Sequence, residues 1–166
     1  MTIEKSAGQR LTVRSPQEGE AWWWFGGLAV IKLAEAETEG RFSMIDMIWP
    51  PGLEVPLHVH TREDELFHVL DGRVSYRIGE SRFEASAGHT VFAPRDIPHN
   101  FVVTSAQPAH YLIVYSPAGF EGFVRESSQP AERLSLPPQP ASPPDVAVIQ
   151  KLSELMSSKY GCHFVS

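Results

Sequence analysis

The residues best suited to chemistry lie in PLHVHTREDE, residues 56–65, where His58 and His60 are followed by Glu63, Asp64 and Glu65. Imidazole nitrogens and carboxylate oxygens are the donor atoms that divalent transition metals take from proteins. In an extended chain, side chains two apart share a face, so His58 and His60 project together and Val59 projects oppositely. TRED then allows a turn before the apolar alternation of ELFHVLDG resumes. On that second strand Glu65 shares a face with Phe67 and Val69, which mark the interior. Asp64 falls on the opposite face or in the turn, and Arg62 and Glu63 read as solvated turn residues. Glu65 is therefore the expected third ligand, with Asp64 replacing it only if a bulge swaps the faces. A fourth donor must come from far along the chain. In GHTVFAPRDIPHNF, residues 88–101, RDIP turns and His99 opens a strand with Phe101 and Val103 on its own face. Three neutral imidazoles and one carboxylate would leave a divalent ion with a net positive charge and one or two open positions. That set suits one ion per chain of Fe, Mn, Ni, Co or Zn, at a site built to bind something more.

The elements that must position these residues are short. From Ala21 to Ser116, apolar or alternating runs are broken by Gly, Pro and Asp with no sustained helical period, the pattern of an all-β sandwich or barrel. Expected strands include WWFGGLAVIKLA, RFSMIDMIW, PLHVH, ELFHVLDG, RVSYRIG, SRFEAS, HTVFAP, HNFVVTS and HYLIVYS, with PPG, DG, GE and AG between several of them. Six prolines between Ser128 and Pro144 argue against any regular ladder or helix there. Asp145 is a good N-cap, Val148, Ile149, Leu152, Leu155 and Met156 recur at helical spacing, and Gly161 can close the C-terminus. The expected organisation is a β domain over residues 1–127, a proline-rich linker over 128–144, and a C-terminal helix and tail over 145–166. With 166 residues, one domain is expected.

Several classes are disfavoured. A net charge of −6 without a cluster of Lys or Arg leaves nothing to neutralise a phosphate backbone, so no nucleic acid is expected. The longest apolar run, AWWWFGGLAVI, is eleven residues, against the roughly 20 a membrane-spanning helix needs, so no membrane partner is expected. The polar start MTIEKSAGQR lacks a secretory core, and the single Cys162 cannot form an internal disulfide, which together suit a reducing cytoplasm. His68, His89 and His110 read as surface or interface residues, and His163 lies past the last helix. Trp22 and Trp24 share one strand face and Trp23 takes the other, read as a buried edge or dimer contact. Phe42, Met44, Ile48, Phe92, Phe101 and Phe120 are expected in the core, some of them lining an apolar pocket around the metal.

The spacing from Gly52 to Gly72, with His58, His60 and Glu65 between, resembles the first motif of the cupin superfamily in every fixed position. Gly88, Pro94 and His99 resemble the second motif, although Asp96 stands where a glycine is usual and Val103 where an asparagine is frequent. WFGG, SPAGFEGFVRE and the final KYG extend the likeness, over roughly residues 20–161, to single-domain quercetinase-like cupins, the flavonol 2,4-dioxygenases. The resemblance implies a double-stranded β-helix, the cupin jelly-roll barrel, carrying a short C-terminal helix. It implies a metal-dependent dioxygenase acting on a small aromatic or polyketide-like hydroxy or enol compound, with dioxygen as co-substrate. Glu65 would act as both ligand and catalytic base. An oxygen-independent metal-dependent isomerase, lyase or cyclase, or a non-catalytic small-molecule-binding module, are the alternatives. A homodimer is expected because a small β-sandwich must protect its edge strands.

Overall fold

Alternating burial in several of the strands sets which of their faces turns inward, whereas others, such as Gly27–Leu33, are buried on both faces. In the computed structural model, which describes residues 11–138 and 145–165, β1 spans Glu20–Trp24, β2 Gly27–Leu33, β3 Ser43–Trp49, β4 Glu54–His60 and β5 Asp64–Asp71. They are followed by β6 Arg73–Ile78, β7 Ser81–Ser86, β8 Thr90–Ala93, β9 His99–Val103, β10 Ala109–Ser116, β11 Gln129–Pro130 and β12 Cys162–Phe164. Helix α1 is Glu35–Thr38, α2 Glu121–Ser127 and α3 Val146–Tyr160. Every strand pairing is antiparallel. The ladders form a seven-stranded sheet, β11-β1-β2-β3-β10-β5-β8, and a five-stranded sheet, β12-β4-β9-β6-β7.

The expected barrel takes the form of two facing sheets, neither of which closes on itself among the described residues. Their inner faces interlock through aromatic contacts. Phe67 of β5 lies 5.2 Å from Tyr76 of β6 and 5.4 Å from Phe101 of β9, measured between ring centroids, and Trp49 of β3 lies 5.5 Å from Phe101. Glu65, Phe67 and Val69 are buried in β5 as their phase requires, and His99, Phe101 and Val103 are buried in β9.

The assignment of core residues needs correction at four positions. Strand β3 buries Ser43, Ile45, Met47 and Trp49, which leaves Met44 and Ile48 on the half-exposed outer face. Its sequence is apolar on both faces, so alternation alone does not decide which turns inward. Phe42 is half-buried, and Phe92 is 56% exposed on the outer face of β8. Phe101 and Phe120 are buried as expected.

The run WWFGGLAVIKLA is a hairpin rather than one strand: Trp24 pairs with Gly27 across a two-residue turn at Phe25 and Gly26. Both turn residues have positive φ, 47° and 86°, the requirement of the type I′ turn whose twist matches flanking strands. Proline also fails to exclude every ladder, because Gln129 and Pro130 pair with Trp23 and Trp22 at an edge, where a missing N–H costs least. Pro140, Pro143 and Pro144 lie outside the described residues.

Helix α3 begins and ends where its sequence signals. Asp145 accepts a hydrogen bond from the Ala147 backbone N–H, and Gly161 closes the helix in the left-handed region. After it, β12 returns to pair with β4, placing Cys162 opposite His60. No helix among the described residues is long and apolar enough to cross a membrane.

Candidate metal centre

The four expected ligands come from both sheets and meet between them. His58 and His60 stand two apart on β4, and His58 is the direct cross-strand partner of His99 on β9. Glu65 enters from β5 of the opposite sheet. All four are buried, and one donor atom from each lies within 4.8 Å of the others. The imidazole centroids are 4.4 Å apart for His58 and His99, 5.2 Å for His58 and His60, and 5.7 Å for His60 and His99.

Elementary hydrogen-bond chemistry fixes the ring tautomers. Nδ1 of His58 lies 2.8 Å from the Pro56 carbonyl oxygen, and Nδ1 of His99 lies 2.9 Å from that of Ile97. Nδ1 of His60 lies 2.6 Å from Glu63 Oε1. Carbonyl and carboxylate oxygens only accept, so each Nδ1 carries the proton and Nε2 is left to face the centre. This is the arrangement in which histidines bind metal, with the far nitrogen anchored and the near one presenting its lone pair.

Glu65 Oε2 lies 2.6 Å from His99 Nε2, and Oε1 lies 3.6 Å from His60 Nε2. Burial works against charge on His99, yet the hydrogen bond and charge of Glu65 raise its pKa overall. Burial also opposes the charge of Glu65, but the surrounding imidazoles, His60 foremost, hold its pKa at about 2. His58 behaves oppositely: burial lowers its pKa to about 4 and keeps it neutral, ready to donate a lone pair. The donor set fits a divalent transition metal held by His58, His60, Glu65 and His99.

Contacts between the two motif loops hold the geometry. Asp64 faces outward and pairs with Arg95, at 3.0 Å to Nε and 2.8 Å to Nη2, and also accepts from the Arg95 backbone N–H. Those hydrogen bonds lower the Asp64 pKa to about 2. Asp96, in the position where glycine is usual, has φ of 64°, and its N–H donates to the His60 carbonyl at 2.7 Å. The left-handed conformation is retained with aspartate supplying it, at some steric cost.

Glu63 departs from expectation. It is 4% exposed rather than solvated, and it anchors His60. Its neighbours Thr61 and Arg62 hydrogen-bond to the carbonyls of Gly161 and Lys159, a hundred residues on. The local signal was present in the His60-to-Glu63 spacing, which lets one turn bring the carboxylate back to the ring.

The remaining histidines lie away from the cluster. His68 bonds Thr90 and His89 is exposed beside Ser86, whereas His110 pairs with Asp46 at 2.6 Å on the outer face. His163 is half-buried on β12. Two further side chains approach the centre. Cys162 Sγ lies 3.5 Å from His60 Nε2, and Tyr115 lies against Glu65, where burial and then the Glu65 charge raise its phenol pKa.

A cavity of about 660 Å³ opens from the cluster. His58, His60 and Glu65 contribute to its wall together with Trp24, Trp49, Phe101, Ile113, Tyr115, Phe120 and Phe123. Val148, Ile149, Leu152 and Met156 of α3 cover one side. Trp24 thus lines the cavity, with its Nε1 donating to Ser127 Oγ, whereas Trp23 donates to the Ser135 carbonyl. Trp22 packs partly buried against the core.

Residues 45–115 match the family model described as a cupin domain. Quercetin 2,3-dioxygenase of Bacillus subtilis is 24% identical over 128 residues, 75% of this chain and 37% of that protein. The chain spans less than half the length of the curated relatives it matches. Among solved structures, a predicted oxalate decarboxylase from Thermotoga maritima aligns with a TM-score of 0.57 at 22% identity, covering 64% of this chain and 99% of that one. The polyketide cyclase RemF from Streptomyces resistomycificus aligns with a TM-score of 0.51 at 20% identity, covering 65% and 79%. At those identities the likeness to the solved structures speaks for the fold.

Proposed function

From a chain that carries a match to the cupin domain over residues 45–115, we propose a metal-dependent dioxygenase acting on a small aromatic or polyketide-like compound with a phenolic or enolisable hydroxyl. One observation carries the reading: four buried donor atoms converge, and three of their side chains, His58, His60 and Glu65, form part of the wall of a largely apolar cavity. Its volume, about 660 Å³, falls within the roughly 300–1,000 Å³ of small-molecule sites. The partial match to a quercetin 2,3-dioxygenase lends further support.

His58, His60, Glu65 and His99 would hold the ion, which when bound supplies Lewis acidity toward an anionic substrate oxygen. Glu65 is ionised at neutral pH and so is in the form that accepts the hydroxyl proton. Trp24, Trp49, Phe101, Phe120 and Phe123 offer flat surfaces to an aromatic ring and exclude water from the reacting end. Tyr115 remains protonated and faces Glu65, where its hydroxyl can orient a substrate oxygen.

Oxygen uptake with a flavonol such as quercetin, compared with substrate loss under anaerobic conditions, tests the proposal. Oxygen consumption in step with substrate loss is expected. Equal substrate loss without oxygen would replace the dioxygenase with an isomerase, lyase or cyclase that uses the same centre.

A further inference from the structure

We infer that Glu63 is a positioning residue of the metal centre: its carboxylate orients the His60 ring and strengthens it as a donor. The inference rests on the reading that the His58, His60, Glu65 and His99 cluster holds a metal.

Glu63 lies in a turn between exposed Thr61 and Arg62 and half-buried Asp64, yet is itself 4% exposed. Withdrawing a carboxylate from water is costly unless a strong partner compensates. The partner is His60 Nδ1 at 2.6 Å, a donor that is itself 1% exposed.

The three imidazoles are not anchored alike. His58 and His99 donate to backbone carbonyls, which are neutral, whereas His60 donates to a carboxylate. A bond to an ionised acceptor is roughly twice as strong as one between neutral groups. It draws the proton away from the ring and enriches the lone pair on Nε2. A metal in this cluster would therefore have one histidine ligand more basic than the other two, through a side chain that is not itself a ligand.

The anchor is held from outside the two motifs. The Thr61 N–H and hydroxyl both donate to the Gly161 carbonyl, at 2.9 and 2.7 Å, and Arg62 Nη1 donates to the Lys159 carbonyl at 2.5 Å. A Cβ at Gly161 would fall 2.8 Å from both Thr61 Oγ1 and Arg62 Nε. The turn that presents Glu63 to His60 is thus clamped against the C-terminal end of α3, the helix that also covers the cavity.

The test uses the full chain, Glu63→Gln and Glu63→Ala, each stripped of metal and titrated with Co(II) against a chromophoric chelator. Co(II) affinity is expected to fall about 10- to 100-fold. Glu63→Ala should fall further than Glu63→Gln, which keeps an acceptor but loses the charge. The visible Co(II) bands of Glu63→Gln should shift, because donor strength at one ligand changes. Thermal unfolding of the metal-free proteins checks folding, and the near-isosteric Glu63→Gln carries the test if Glu63→Ala does not fold. Wild-type affinity and wild-type bands in a folded Glu63→Gln would overturn the inference, as would a variant altered in thermal stability alone. Failure of the wild-type protein to bind Co(II) would instead bring down the metal reading, and the inference with it.

Discussion

A carboxylate that is both ligand and base loses its two roles unequally when one oxygen becomes an amide. Glu65→Gln keeps a ligating carbonyl but can take no proton, so turnover should drop by about 10²- to 10⁴-fold, the worth of a general base. Metal content should fall less; parallel loss of metal and activity would leave Glu65 as ligand only. His99 sets the pH dependence. Its pKa is raised by the hydrogen bond and charge of Glu65 against the effect of burial, so a proton competes with a metal for its Nε2. Metal binding must expel that proton, and affinity should fall by about tenfold per pH unit below the His99 pKa. His58, lowered to about 4, adds no competition until the solution is more acidic still. Metal titrations with proton release measured across mildly acidic to neutral pH would show this slope, and a flat profile would refute it. His58, His60, Glu65 and His99 were legible because strand alternation and motif spacing are local. For Glu63 the spacing from His60 was a local signal, but its burial was not legible, since that depends on a turn clamped by the end of the C-terminal helix.

Strands with period-two burial declare themselves, and β5 and β9 were readable as inward-facing rows. The phase of β3 was ambiguous because SMIDMIW is apolar on both faces. The hairpin between β1 and β2 was hidden by its Phe-Gly turn, since phenylalanine rarely takes positive φ. Strands β11 and β12 are two and three residues long and exist only by pairing with distant strands, so no local pattern announces them. Asp96 tests how much its turn needs the left-handed conformation. Asp96→Val should cost about 1–2 kcal/mol, with Asp96→Gly near neutral, as read by denaturant unfolding; equal stability of the two would contradict the turn's role. Helix α3 depends on its cap. Asp145→Ala should cost about 1 kcal/mol, speeding amide exchange in α3 without affecting β5 or β10. Faster exchange throughout would mean the cap serves the whole fold.

Among the described residues two open sheets meet around the polar cluster, and α2 and α3 contribute to the wall of the cavity beside it. Cavity formation was the least legible feature, since its wall combines β1, β3, β9, β10 and both later helices. The outer face of the seven-stranded sheet carries a row across four strands, Met44, Val114, Leu66 and Phe92, in register. Leu66 and Phe92 are 36% and 56% exposed, a surface suited to the expected second copy of this chain. Light scattering at micromolar concentration should report a homodimer that Phe92→Lys weakens; a wild-type monomer would contradict it. The central claim is that His58, His60, Glu65 and His99 hold a metal ion, and elemental analysis of protein purified without added metal tests it most directly. About one Fe, Mn, Ni, Co or Zn per chain, lost in His58→Ala, is the predicted result. Wild-type protein free of all five, and unable to take any of them up, would contradict it.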